Sequence, residues 1–288
     1  MMKKARPLVA VDIASPAVGS TGSWDAILAT TAMPPDEVIR LVHEGGVQHI
    51  VQNDSLSFDT EMAVARLMLE KPHAFLDDTT AAILGLLPDT DPTPSASSLS
   101  SPSLSPTLSS SSSFLKIESA ASEKKTAVLE RFENFLAELP GARTIRESSI
   151  LVADELYTNG SKNCWPPRGG PGEGPVREGR IEFFARSDGR RLVIGCLDTY
   201  GELVLPEVLA RIRSCYERGV AESINQGGGG AGIGSFMVFD HCISYYAGVE
   251  PGERTVVCAA LPLGLSRREL EKLTKNIQPR ATSASLTA

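Results

Sequence analysis

Apolar residues in the second half of the chain recur at helical spacing and then at strand spacing. Val128, Leu129, Phe132, Phe135, Leu136 and Leu139 form one stripe, which predicts an amphipathic helix over Glu123 to Leu139, stopped by Pro140-Gly141. Ser148 or Ser149 is the expected cap of a second helix running to about Asn159. Arg180 to Arg186 and Arg191 to Leu197 read as strands, and Asp188-Gly189 between them is a strong hairpin signal. A helix is expected over Leu205 to Arg218, and another over Gly234 to Cys242 after the polyglycine run Gly227 to Gly230. A last hairpin joins Ile243–Gly248 to Arg254–Leu261 through Pro251-Gly252-Glu253. Arg267 to Ile277 reads as a polar terminal helix, followed by a Ser/Thr/Ala tail expected to fray.

The first half shows shorter elements. Leu8 to Val11 and Ala26 to Thr31 read as strands, and Pro34-Pro35-Asp36-Glu37 opens a helix that Gly45-Gly46 ends. Val47 to Val51 reads as a strand, Thr60 to Leu69 as a helix and Thr79 to Leu87 as a shorter helix. This order predicts a small α/β unit with a parallel sheet. Between the halves, 12 of the 19 residues from Ser95 to Ser113 are serine, too few apolar groups to offset the entropy of ordering the chain. The expected organisation is a small α/β unit over 1–92, a disordered linker over 93–116, a larger α/β domain over 117–264, and a polar helix with a flexible tail over 265–288.

Composition narrows the function. Hydrophobic residues are 42% and charged residues 22% of the 288, enough for a sizeable core. The net charge of -7 argues against a nucleic-acid binder and against a polybasic membrane anchor. No apolar run approaches the roughly 18–20 residues of a membrane span. After the basic start Met1-Met2-Lys3-Lys4, the apolar stretch Leu8–Val11 is too short for a signal sequence and is broken by Asp12. A cytoplasmic protein is expected. Cys164, Cys196, Cys215, Cys242 and Cys258 are odd in number and none has C-x-x-C spacing, so reduced thiols are expected rather than disulfides or a zinc site.

Three places carry candidate chemistry. Glu155 and Asn159 lie four apart, on one face of the predicted helix, and together offer oxygen ligands for a hard cation and a carboxylate base. Asp198 closes a buried strand, placed to accept a hydrogen bond from a ligand amine, and Gly201 after it permits a sharp turn. Gly227 to Gly234 runs directly into a helix, where backbone N–H groups and the positive helix end suit phosphate. The structural alternatives are a solvated helix face, a strand-to-helix turn and a flexible linker. The glycine run is neither a Walker loop, lacking Gly-Lys-Ser/Thr, nor a Rossmann fingerprint, lacking a preceding strand.

The order of these motifs resembles the GHKL superfamily, the histidine-kinase-like ATPase domains that include the anti-sigma serine kinases. Glu-x-x-x-Asn on a helix, a hairpin, Asp with a nearby Gly, G-x-G-x-G opening a helix and a closing hairpin cover about residues 123–263. The resemblance implies a Bergerat-type α/β sandwich, a mixed sheet with helices on one face. It implies ATP and Mg²⁺ as ligands, with Asn159 binding Mg²⁺, Glu155 the general base, Asp198 binding adenine, Gly201 shaping its pocket, and Gly230, Gly232 and Gly234 contacting phosphates. Tyr200 and a single glycine, Gly201, replace the family's glycine pair after the aspartate, and a helix takes much of the usual nucleotide lid. Leu8–Ile13 with Asp12, Ile27–Ala32 with Thr31, and Gly45–Gln52 resemble a degenerate receiver segment serving as an interaction domain, with Asp12 at the phosphoacceptor, Thr31 at the switch position and Gln52 at the usual lysine; the alternative is an unrelated small α/β unit. None of His43, His49, His73 and His241 sits in a His-Glu-x-x-x-Pro phosphoacceptor setting. The implied function is an ATP-binding signalling regulator, either a kinase directed at a serine or threonine of a partner or a nucleotide-gated binding module. That partner is a protein of the sigma-factor, anti-sigma antagonist or response-regulator type, with homodimerisation through Glu123–Leu139 and no nucleic acid or membrane. The alternative is a non-catalytic scaffold that keeps the fold.

Overall fold

The computed structural model describes residues 9–12, 26–30, 33–44, 47–52, 58–85, 113–120, 124–164, 179–225 and 233–282. In the first half these form β1 (Val9–Asp12), β2 (Ala26–Thr30), α1 (Pro35–Glu44), β3 (His49–Gln52), α2 (Phe58–Glu70), α3 (Pro72–Asp77) and α4 (Thr79–Leu84). The second half runs β4 (Ser113–Ala120), α5 (Lys125–Glu138), α6 (Arg146–Cys164), β5 (Arg180–Ser187), β6 (Arg191–Asp198), α7 (Leu205–Arg218), α8 (Val220–Asn225) and α9 (Ile233–His241). It ends with β7 (Ser244–Glu250), β8 (Arg254–Pro262), α10 (Arg267–Leu270) and β9 (Asn276–Ala281).

All of these strands join one nine-stranded mixed sheet in the order β1-β2-β3-β9-β7-β8-β6-β5-β4. From β4 to β7 neighbours are antiparallel; β7–β9 and β2–β3 are parallel, and β9–β3 and β1–β2 are antiparallel. The parallel N-terminal sheet is therefore corrected: only β2 and β3 run parallel. Antiparallel β1 and β2 also differ from the parallel strands of a receiver, a doubly wound fold. Gln52, which the resemblance to a receiver would set at a lysine position, is a structural clasp. Its side chain accepts from Met33 N at 2.6 Å and donates to Lys275 O at 2.6 Å.

Strand alternation divides the core. Phe183, Ile194 and Tyr245 face a layer built from α1, α5, α6, α7 and α9, filled by Val38, Ile39, Phe132, Leu156, Ile212 and Phe239. Their neighbours Phe184, Val193 and Tyr246 face α2, α3 and α4, which bury Val64, Met68, Phe75, Leu76 and Ile83. Helices on one face only, implied by the family resemblance, is thus corrected. The central strands β6 and β8 are apolar at both parities, and both faces need cover.

The C-terminal expectation is corrected too. The helix stops at Leu270, its start held by a Ser266–Glu269 capping box. Asn276 to Ala281 is not tail but a strand inserted between β3 and β7, so the sheet runs through both halves of the chain. Pro279 excludes a continuing helix. The polar residues that suggested solvent exposure are buried partners: Asn276 Oδ1 accepts from Gln52 N at 2.8 Å, and Gln278 reaches α2. Residues 113–116, assigned to the linker, open β4, where Phe114, Leu115 and Ile117 follow the serines; 93–112 lie outside the described residues. α6 begins at Arg146, directly from a 3₁₀ turn over Ala142–Ile145, so neither Ser148 nor Ser149 caps it.

A buried polar cluster joins α2 to the sheet. Glu61, fully buried, accepts from Tyr246 OH at 2.6 Å, Ser244 Oγ at 2.8 Å and Gln278 Nε2 at 2.7 Å, with Arg191 4.0 Å away. Burial pushes its carboxyl above the usual range; these three hydrogen bonds and the Arg191 charge pull it back.

Candidate functional site

α6 and α9 meet at a glycine. Gly234, the second residue of α9, is buried, and a Cβ there would collide with Glu155 Oε2 and lie 3.3 Å from Asn159 Nδ2. Only glycine lets α9 close on the face of α6 that carries this pair. Glu155 thus sits by the positive end of α9. Its carboxyl is held above the ordinary range, first by burial and then by Asp154, against the opposing pull of Lys162 and Lys125.

β6 delivers Asp198, 3% exposed, to the same end of the sheet. Its Oδ1 accepts from the backbone N–H of Tyr200 at 3.0 Å and of Gly201 at 3.2 Å, an Asx-type turn that reverses the chain. Gly201 adopts φ +64°, and a Cβ would run into the Glu250 carbonyl. Gly252 N donates back to Gly201 O at 3.3 Å, seating the loop on the β7–β8 turn. Gly201 therefore shapes the site by fixing the turn beside Asp198 and does not itself line the cavity.

In the β6–β8 ladder Asp198 stands directly opposite Thr255, so the two side chains share a face. Thr255 is 2% exposed, and its Oγ1 has no hydrogen-bond partner. A buried hydroxyl left unpaired costs about 1–3 kcal/mol. Both residues line a cavity of about 150 Å³. Asn159, Lys162, Arg211 and Ser235 add polar groups to its wall, and Leu156, Leu203, Val208, Val238 and Val257 make the rest apolar. Three larger grooves among the described residues are more open: about 750 Å³ beside α10 and about 810 Å³ under α3 and α4, neither lined by an unpartnered buried polar atom, and about 240 Å³ between α1 and α7, where His43 Nδ1 is unpartnered but the lining is otherwise apolar apart from Gln48.

The structure therefore brings Glu155, Asn159 and Gly234 together, and places Asn159 and Asp198 in one cavity. Gly230 and Gly232 lie outside the described residues, as does Thr31. Thr255, Lys162 and Arg211 are site residues that sequence reasoning did not single out. Thr255 is set opposite Asp198 by the β6–β8 pairing, a long-range ladder that neither hairpin turn fixes, so no local signal marks it. Among the described residues no group of three or more His, Cys, Asp or Glu side chains could hold a metal. Asn159 Oδ1 would be one oxygen ligand of a Mg²⁺ ion here, with a ligand's phosphates supplying others.

No protein-family model matches the chain, and no curated protein matches it. Among the described residues no helix is long and apolar enough to cross a membrane.

Proposed function

We propose that this chain is a cytoplasmic signalling regulator that binds ATP-Mg²⁺ at the end of β6, on a histidine-kinase-like ATPase fold. The observation that carries the reading is the buried Asp198–Thr255 pair with its unpartnered hydroxyl. A carboxylate beside a hydroxyl matches the edge of adenine, where an amine donor adjoins a ring-nitrogen acceptor. Guanine entering by the same edge would set its C6 carbonyl against the carboxylate. At about 150 Å³ the cavity falls below the roughly 300–1,000 Å³ that encloses a drug-sized ligand, so it takes the base and leaves the phosphates at its mouth. There Asn159 would hold the metal, and the start of α9 would face the anion.

ATP supplies the phosphoryl group and Mg²⁺ the counter-charge. In the proposed reaction Glu155 takes the proton of a partner's serine or threonine hydroxyl as that oxygen bonds to the γ-phosphorus and ADP departs. A carboxyl raised by burial and by Asp154 is suited to this role. The partner is a protein of a sigma-factor or response-regulator circuit, in keeping with the resemblance.

A second reading, a scaffold without nucleotide, is favoured by Tyr200, which is buried where the family carries glycine, and by the ordered helix α7 in the place of a lid. Thermal unfolding with ATP and ADP, with and without Mg²⁺, separates the two. A ligand at 100 times its Kd adds about 2.7 kcal/mol of stability. The proposal expects a Mg²⁺-dependent shift that Asp198→Ala abolishes; no shift at millimolar nucleotide would leave the scaffold reading.

A further inference from the structure

We infer, on the adenine-nucleotide reading above, that Arg211 of α7 is a phosphate-binding residue of this site and that α1 of the N-terminal half holds it in position. The cavity has a charge polarity. Asp198 and Thr255, 3% and 2% exposed, form its closed end. The two cations that line it, Lys162 on α6 and Arg211 on α7, are both exposed residues and so mark its mouth. A ligand satisfying both ends carries a hydrogen-bonding ring inside and an anion outside, the chemistry of a nucleoside di- or triphosphate. Arginine offers a planar fork of donors suited to phosphate oxygens.

α7 is placed to present that fork. Val208 and Arg211, one turn apart, line the cavity. The adjoining face carries Leu209 and Ile212, both buried in the core that Val38, Ile39 and Val42 of α1 complete. Arg213 on α7 pairs with Glu44 at the end of α1 and with Glu217, the latter at 2.6 Å. α7 is thus fixed from behind by the N-terminal half. Arg211 also stands 3.6 Å from Glu207 in an exposed i, i+4 pair.

Calorimetric titration of the full chain with adenosine, ADP and ATP, with and without Mg²⁺, tests the inference on wild type, Arg211→Ala, Arg211→Lys and Glu44→Gln. Arg211→Ala should weaken ADP and ATP about tenfold and leave adenosine unchanged, and Arg211→Lys should recover part of the loss. Glu44→Gln should weaken ATP less, in the same direction, again sparing adenosine. Arg211 is exposed, so its variants should keep the wild-type unfolding midpoint without ligand. Equal effects on ATP and adenosine, or none on either, would overturn the role of Arg211 while the adenine pocket stands. Wild type that binds none of the three ligands would overturn the nucleotide reading, and this inference with it.

Discussion

The sheet buries two carboxylates on opposite faces, and their surroundings differ in kind. Glu61, under α2, meets a hydroxyl from Ser244, a phenol from Tyr246, an amide from Gln278 and the guanidinium of Arg191. It ties α2 to β7, β9 and the start of β6, and its cluster is part of the fold. Asp198 accepts two N–H groups of its own turn and stands beside a threonine whose hydroxyl has no partner, at the wall of a cavity. Burial alone does not mark a site. An unpaired polar atom beside a buried charge, both lining one cavity, does, because it costs free energy that a ligand can return.

Glu61→Ala should break the structural half of the comparison hardest. Removing the carboxylate takes the acceptor from Tyr246, Ser244 and Gln278 and leaves Arg191 only its pairing with Asp188, a loss of about 3–5 kcal/mol in urea unfolding. Adenosine affinity of the folded variant should stay at the wild-type value. Gly201→Ala should come next. Strain at φ +64° costs about 1–3 kcal/mol, and the collision with Glu250 adds to it. Because the Asp198 turn moves, adenosine binding should fall with stability.

His49 gives the Glu61 face a pH signature. It is fully buried with both ring nitrogens unpartnered, and burial, with Arg280 nearby, lowers its pKa to about 3. Between about pH 6.5 and 3 the unfolded chain binds this proton and the folded one does not. Stability should therefore fall as pH drops, by on the order of 1 kcal/mol per pH unit. Glu61, raised in the folded state, works in the opposite sense, so the comparison to make is wild type against His49→Leu. The variant should show the flatter decline in denaturation midpoints from pH 7 to 5.

Thr255→Val is the smallest change in stability and the sharpest test of the other half. Replacing an unpaired buried hydroxyl by a methyl should leave stability within about 1 kcal/mol of wild type, or raise it. Adenosine and ATP should each bind about tenfold more weakly if the hydroxyl pairs with the ring. A threonine serving only the fold would show neither effect on binding.

What the sequence made legible is local. The stripe at Val128, Phe132 and Leu136 and the Asp188-Gly189 hairpin placed α5, β5 and β6 within a few residues, and the four-residue spacing of Glu155 and Asn159 put them on one helix face. Long-range pairing decided what was hidden. β4 stood behind a serine run, and β9 looked like a fraying tail because Asn276, Gln278 and Arg280 are polar; their partners Gln52, Glu61 and Gln48 lie more than 200 residues away. Thr255 and Arg211 reach the site through strand register and through the packing of α7, neither of which leaves a local signature. Covering the second face with α2 to α4 likewise depends on tertiary contact between the two halves.

The most direct test of the central claim is calorimetric titration of ATP with Mg²⁺ into wild type and Asp198→Asn. Asparagine keeps an oxygen for the turn to Tyr200 and Gly201, so the fold is preserved while the carboxylate is lost. The account predicts one saturable site in wild type and at least about tenfold weaker binding in the variant. Equal affinities in the two proteins, or no heat from either at millimolar ATP, would contradict it.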